Sequence, residues 1–466
     1  MIDTVTATSA IAGLVQQQKD FFATQQTKDI IFRKKSLQNL LKEVQKREKD
    51  ILQALHNDFK KSAYEGVMTE TGIVVSELKM MIKNIHLWSR PKRVAPSFLN
   101  FPSSAKIHPE PYGTTLIIAP WNYPYQLGFS PLAGAVAAGN TVVLKPSELT
   151  PHTSAISKEI IEAVFNPKHV TVVEGGIPET QELLAQRWDY IFFTGSVPVG
   201  RIVAKAAAEY ITPVTLELGG KSPCIVDDTA KIKLAARRIV WGKFLNGGQT
   251  CIAPDYLLIH KSVKTKFIEH FQKEITKAYG ENPELSDDFP RIVNTRNFDR
   301  LSNMLANENI AIGGQTNRES NYIAPTLIDE PSLGSEVMKE EIFGPILPLL
   351  SYETEQDLAQ IISNYDKPLA FYVFTGKSAF AKKLIKRYSF GGGTINDTTV
   401  HFANHNLPFG GVGESGIGGY HGKHTFDVFS HNKGVVIRGN WLDVPTRYAP
   451  YKGKLQQLKT LLKFGG

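Results

Sequence analysis

Cysteine is scarce in this chain of 466 residues, which has only Cys224 and Cys251. Two cysteines cannot build a disulfide framework, and their scarcity fits a reducing compartment. Long apolar runs are also missing: no stretch approaches the roughly 20 residues that a membrane-spanning helix needs. Met1 to Asp20 lacks the basic run, compact apolar stretch and small-residue cleavage site of a secretory signal, so the cytoplasm is the expected address. The 12 histidines show no ligand spacing with acids or cysteines of the zinc-site kind, although His401 and His405 would share one face of a helix. No metal is expected. A basic cluster interleaved with stacking aromatics is absent too. The net charge of +8 is spread along the chain among acids, so no nucleic-acid partner is expected, while phosphate-bearing small ligands stay compatible.

The chain does have ordinary globular composition, 42% hydrophobic and 21% charged, at a length that calls for two or three domains. From 29 to 60, Phe32, Leu37, Leu40, Leu41, Val44, Ile51, Leu52 and Leu55 recur at helical spacing and predict packing helices. Pro91, Pro96, Pro102 and Pro109 break any helix between 89 and 111, which reads as a linker or peripheral strand. Short β-rich runs at 114–119, 141–145, 170–174 and 190–194 then alternate with helical segments such as 154–165. Such alternation predicts a doubly wound α/β fold with ligands at the carboxyl ends of parallel strands. A second block, from about 218 to 396, carries helices at 231–245, 263–279 and 378–388 and is expected to form its own domain. The glycine-rich stretch 410–419 reads as an ordered loop that needs positive φ angles.

Cys251 closes the run Asn246-Gly247-Gly248-Gln249-Thr250-Cys251, directly after a helix, where glycines leave room for a substrate. A thiol of ordinary pKa, about 8.5, needs a base, positive potential or backbone donors before it attacks well at neutral pH. Candidate partners are Glu217, at the end of a β-rich run before Gly219 and Gly220, and Asn122, in the turn Pro120-Trp121-Asn122-Tyr123-Pro124. Taken singly, the glutamate reads equally as a surface residue and the asparagine as a turn former. Phe193 to Gly200 closes a strand and opens a helix, a place where amides can receive a pyrophosphate, but its glycine spacing is not the usual fingerprint and a plain tight turn fits as well. Cys224, in an apolar β-like run, reads as structural.

Together these motifs, with Lys145-Pro146-Ser147-Glu148, Glu341-Ile342-Phe343-Gly344-Pro345 and Pro408-Phe409-Gly410-Gly411, stand in the order found in aldehyde dehydrogenases, which the chain resembles over nearly its whole length. Gly248 to Tyr256 and Tyr420-His421-Gly422-Lys423 further resemble the class 3, or fatty aldehyde, branch. The resemblance implies an α/β fold with a Rossmann-type cofactor domain (1–88 and 111–216), an α/β catalytic domain (217–405), a small β bridging and oligomerisation element (89–110 and 425–446) and a tail (447–466). It makes Cys251 the nucleophile, Asn122 an oxyanion donor and Glu217 the general base for the hydrolytic water. Lys145 and Glu148 would contact the adenosine ribose, Gly195, Ser196 and Gly200 the pyrophosphate, and Glu341 and Phe343 the nicotinamide ribose, a second catalytic carboxylate being the other role open to Glu341. Tyr123, Trp241, Phe409 and His421 would line the substrate tunnel, although aromatics in such numbers also read as core.

The implied activity is oxidation of aldehydes, medium- or long-chain aliphatic or aromatic, to free acids with NAD, NADP being also accepted, by a homodimer. Two other readings use the same residues. A cysteine hydrolase would form its product without reduced coenzyme, and a silent binding protein on the same scaffold would turn nothing over. At the C-terminus, Lys454, Lys459 and Lys463 flank Leu455, Leu458, Leu461, Leu462 and Phe464 at helical spacing. This basic amphipathic helix either packs on protein or makes at most peripheral contact with an anionic membrane.

Overall fold

The computed structural model describes residues 9–97 and 100–464, so residues 1–8 of the expected 1–88 segment, 98–99 of the bridging segment and 465–466 of the tail lie outside the described residues. Two sheets dominate. The first has six strands in the order β17-β7-β6-β3-β4-β5: β3 (Thr114–Ile118), β4 (Thr141–Lys145), β5 (Val170–Val172), β6 (Tyr190–Thr194), β7 (Val214–Glu217) and β17 (Gly416–Ile417). All pairs are parallel except β17 on β7. Strands β3, β4 and β6 are buried at every residue, as expected where helices cover both faces of a parallel sheet. Strand order reverses at β3, which has β4 on one side and β6 on the other, and a crevice opens at the carboxyl ends of such strands.

The second sheet has seven strands, β10-β13-β14-β9-β8-β15-β16: β8 (Pro223–Val226), β9 (Tyr256–His260), β10 (Ile310–Ile312), β13 (Thr326–Asp329), β14 (Ile346–Tyr352), β15 (Ala370–Phe374) and β16 (Gly392–Ile395), with a two-stranded ribbon of β11 (Thr316–Asn317) and β12 (Tyr322–Ile323) beside it. Cys224 lies in β8, fully buried, in keeping with the structural role its apolar surroundings predict. A third sheet joins β1 (Lys92–Val94), β2 (Ser103–Pro111) and β18 (Ser430–Arg438). The proline-broken segment is thus partly a nine-residue strand. Pro109 and Pro111 lie opposite Asn432 and Ser430, beyond the reach of β1, which pairs only with 105–107, so their missing N–H groups break no ladder on that side.

Helical periodicity between 29 and 60 becomes two helices, Ile30–Lys46 and Glu48–Phe59, which bury Leu37, Leu40, Val44, Ile51 and Leu55. The helix Gln126–Ala138 is buried all round, and Glu70 Oε2 accepts its leading amides from Tyr125 and Gln126, each at 3.0 Å. The loop at 410–419 folds back on itself: the amides of Phe409 and Tyr420 each donate to the other's carbonyl, and Gly413 and Gly418 have φ of 69° and 82°. The tail forms the helix Leu455–Phe464, with Leu455, Leu458 and Leu462 exposed. Among the described residues, no helix is long and apolar enough to cross a membrane.

Candidate active site

After the helix Ile232–Phe244, residues 246–248 take left-handed conformations, φ 55°, 61° and 74°. Asparagine and glycine tolerate this region, and the chain turns sharply enough to present Cys251 to the crevice. At Gly248 a Cβ would overlap the carbonyl of Gly344, so the turn closes directly on the 341–345 loop. Side chains fix the turn from several directions. Glu65 Oε1 accepts from the Asn246 amide (2.9 Å), Asn246 Nδ2 donates to the Asn122 carbonyl (2.8 Å), and Gln249 Nε2 donates to the carbonyls of Asn246 and Arg291 (3.0 and 3.1 Å).

Asn122, just beyond β3, is buried, and its Nδ2 donates to the Gln249 carbonyl at 3.1 Å, two residues before the thiol, which leaves its second amide hydrogen uncommitted. Glu217 is the last residue of β7, and both of its carboxyl oxygens are buried with no hydrogen-bond partner among the described residues. Cys251 and Glu217 open on one chamber of about 210 Å³, whose other walls include Met68, Ile73, Tyr123, Leu127, Trp241, Val400, Phe402, Phe409 and Tyr420. The Tyr123 hydroxyl is tied to Thr250 Oγ1 at 2.6 Å, and Trp241 is 38% exposed. His421 departs from expectation. It does not line the chamber but lies buried behind it, its ring 4.3 Å from that of Phe402 and 5.5 Å from that of Phe409.

The electrostatics follow from dryness. Burial pushes the Cys251 thiol up, with Glu341 and then Glu217 adding to the effect and the amides of Cys251 and Ile252 opposing it. Burial alone holds the Glu217 carboxyl well above the usual range. Glu341 is raised to about 8 by burial and by Asp255, against the Gly220 amide, Lys221 and Arg300. A Cβ at position 219 would overlap the Glu341 carboxyl, so Gly219 makes the room this carboxyl occupies. A thiol and two carboxyls that all favour their neutral forms suit proton shuttling in a water-poor site.

The other end of the crevice carries the residues expected to hold a dinucleotide. Lys145 ends β4, its Nζ donating to the Pro146 carbonyl at 2.7 Å and standing 3.7 Å from Glu148, whose side chain is about half exposed. The helix Val197–Ala208 begins directly after β6, and its N-cap Ser196 makes no side-chain cap, so its leading amides lack that cap. Thr194 Oγ1 is buried at the same strand end with no partner among the described residues, and the Gly195 amide donates to the Glu217 carbonyl at 3.0 Å, linking this loop to the end of β7. Phe343 packs edge-on to Trp121 at 5.2 Å, with φ of 53°.

Glu65, Asn246 and Gln249, which hold the turn before Cys251, were not legible in that part from the sequence. Glu65 is 181 residues from its partner Asn246, a separation no local pattern reveals. The run Asn246-Gly247-Gly248 was itself a signal of consecutive left-handed residues. His401 and His405 do not share a helical face, because the turn Val400–Ala403 is a single 3₁₀ turn that ends before His405.

Residues 4–435 match the aldehyde dehydrogenase family. The chain is 48% identical over 447 residues to a 4,4'-diaponeurosporen-aldehyde dehydrogenase of Staphylococcus aureus, covering 96% of this chain and 97% of that one. It is 40% identical over 449 residues to the dimeric NADP-preferring aldehyde dehydrogenase of Canis lupus familiaris, covering 96% and 99%. A solved structure described as the substrate-bound state of Staphylococcus aureus AldH superposes with a TM-score of 0.96 at 47% identity, covering 97% of this chain and all of that one.

Proposed function

The chain belongs to the aldehyde dehydrogenase family and is an oxidoreductase of aldehydes, and on that premise we propose that Cys251 carries the reaction to a free carboxylic acid. The observation that carries this reading is the shared chamber in which the Cys251 thiol meets a Glu217 carboxyl with both oxygens unpartnered. The amides of Cys251 and Ile252 favour the thiolate against burial, and once the thiol has lost its proton to an entering water its sulfur attacks the aldehyde carbon. The Asn122 amide and the Cys251 backbone N–H donate to the developing alkoxide. A bound nicotinamide dinucleotide supplies the hydride acceptor. The acyl group is then held as a thioester on Cys251, and Glu217 takes a proton from the water that hydrolyses it, releasing acid and free thiol.

Lys145, Glu148, the loop of Gly195, Ser196 and Gly200, Glu341 and Phe343 would hold the dinucleotide. The uncapped helix start and the orphaned Thr194 hydroxyl fit a ligand rich in phosphate and hydroxyl groups. Glu148, beside Lys145, would accept from a ribose 2′-hydroxyl and repel a 2′-phosphate, which favours NAD while a relative named as NADP-preferring supports acceptance of both. Apolar walls favour medium- and long-chain aliphatic or aromatic aldehydes. Val436 and Ile437, exposed on the outer strand β18, support a homodimer built on the third sheet, within the division into cofactor, catalytic and bridging segments described above. The cytoplasm remains the proposed location, with any membrane contact peripheral through the tail.

An aldehyde panel of increasing chain length plus aromatic members, assayed with NAD and with NADP, tests the reading. Acid and reduced coenzyme should appear one for one, with higher kcat/KM for NAD, and Cys251→Ala should abolish both. Acid formed without reduced coenzyme would make the protein a cysteine hydrolase instead.

A further inference from the structure

One polar cluster has no part in this chemistry. Glu77, on the inner side of the helix Gly72–Trp88, is buried, and its Oε1 accepts from the His405 ring at Nδ1 (2.9 Å) and from the Gly422 amide (3.4 Å). Its Oε2 is buried with no partner among the described residues. His421, 2% exposed, has no partner at either ring nitrogen among the described residues. An imidazole always carries at least one N–H, so an open donor, an open acceptor and an open carboxyl oxygen lie together in the interior. Buried groups left open in this way are rare and call for a water or an ion. Ligand atoms of Glu77, His405 and His421 all lie within 4.8 Å of one another, the one such group of three found among the described residues.

We propose that Glu77, His405 and His421 form a binding site for a divalent transition-metal cation, for which zinc is the best fit. Two imidazoles and one carboxylate are the donor set that zinc takes, at about 2.0–2.2 Å, with a fourth position left for water. Calcium and magnesium call for six or more oxygens, and the set offers too few. An outer partner is also in place: the cation displaces the Nδ1 proton of His405 to solvent, and the second nitrogen, Nε2, 3.2 Å from Ser76 Oγ, then carries the N–H and donates to it, which orients the ring with Nδ1 toward Glu77. His421 is held at φ 90°, a costly conformation for a residue with a side chain, and Gly422 follows at φ 56°, so the backbone is committed to directing this ring inward. His405, with its side chain 28% exposed, gives the cation a way in from solvent. The rings of Phe402 and Phe409, which pack on His421, also wall the substrate chamber, so the cation braces that wall from behind.

The test uses the full chain, stripped with EDTA and then exposed to zinc alone. About one equivalent of zinc should stay bound through gel filtration. Glu77→Gln and His405→Ala should each weaken binding by at least the ~10–100-fold that loss of an outer partner costs, whereas Cys251→Ala should retain it. Cobalt substitution of the wild-type protein reads the donors without any variant, and visible d–d bands with no sulfur-to-cobalt charge-transfer band are expected. Failure of the wild-type chain to retain zinc, retention unchanged in His405→Ala, dependence on Cys251, or a sulfur charge-transfer band would overturn the proposal.

Discussion

Asn122, Glu217, Cys251 and Glu341 are each chemically unremarkable in isolation, and what sets them apart is the desolvation they share. If Asn122 is one of two oxyanion donors, Asn122→Ala should lower kcat by roughly 10²–10³ with little change in KM. Steady-state kinetics with one good aldehyde checks this, and a loss confined to KM would make Asn122 a positioning residue. Glu341 favours its protonated form below about 8. A base must be ionised to act, so if Glu341 relays protons, kcat should rise with pH through about 8 and level off above it. A pH series on the wild type and Glu341→Gln reads this directly. Loss of that limb in the variant supports proton transfer, and an unchanged limb leaves Glu341 to the ribose. At this scale the sequence was informative where chemistry is local, as in Asn246 to Cys251, and silent where it is assembled over distance. His421 shows the limit: its motif was recognisable, yet nothing in Tyr420 to Lys423 says that the ring turns away from the chamber.

Among the elements, the short helical segment Ala63–Gly66 matters beyond its size, because Glu65 reaches from it to the Asn246 amide. Burial raises Glu65 to about 7, against the attraction of Lys61 and the Asn246 hydrogen bond. In the unfolded chain the group titrates near 4.3. Between those values the folded state holds a proton that the unfolded state has released. The stability this contributes is therefore full below about pH 4.3 and lost as pH rises through about 7. Glu65→Gln keeps an acceptor for Asn246 and removes the titration. Relative to wild type it should gain of order 1–3 kcal/mol between pH 5 and pH 8, measured by urea unfolding at both values. A difference that does not vary with pH would mean that Glu65 stays ionised in the fold. Element boundaries were legible where burial is two-sided: β4 and β6 occupy the predicted 141–145 and 190–194 because both faces are apolar. The prolines of β2 left a linker and a peripheral strand both open, because their tolerance depends on where β1 stops, and the pairing of β17 with β7 joins residues too far apart for any pattern to show.

Taken whole, the molecule brings a six-stranded and a seven-stranded sheet together so that groups from separate parts of the chain meet. Asn122 and Glu217 come from strand ends of the first sheet, and Cys251 from the turn leading into β9 of the second. The alternation of strands and helices made the α/β class legible, but not the meeting of the sheets, which is set by packing across the chamber. On the proposed function, this meeting lets Cys251 take the acyl group and Glu217 drive its release. Glu217→Gln keeps the shape of the side chain and removes the proposed base, so mixing it with coenzyme and a good aldehyde tests that proposal most directly. Mass spectrometry of the quenched protein should find the acyl group on the Cys251 peptide, with a burst of reduced coenzyme ahead of slow turnover. An unmodified Cys251 peptide and no burst, with steady turnover lost, would contradict it.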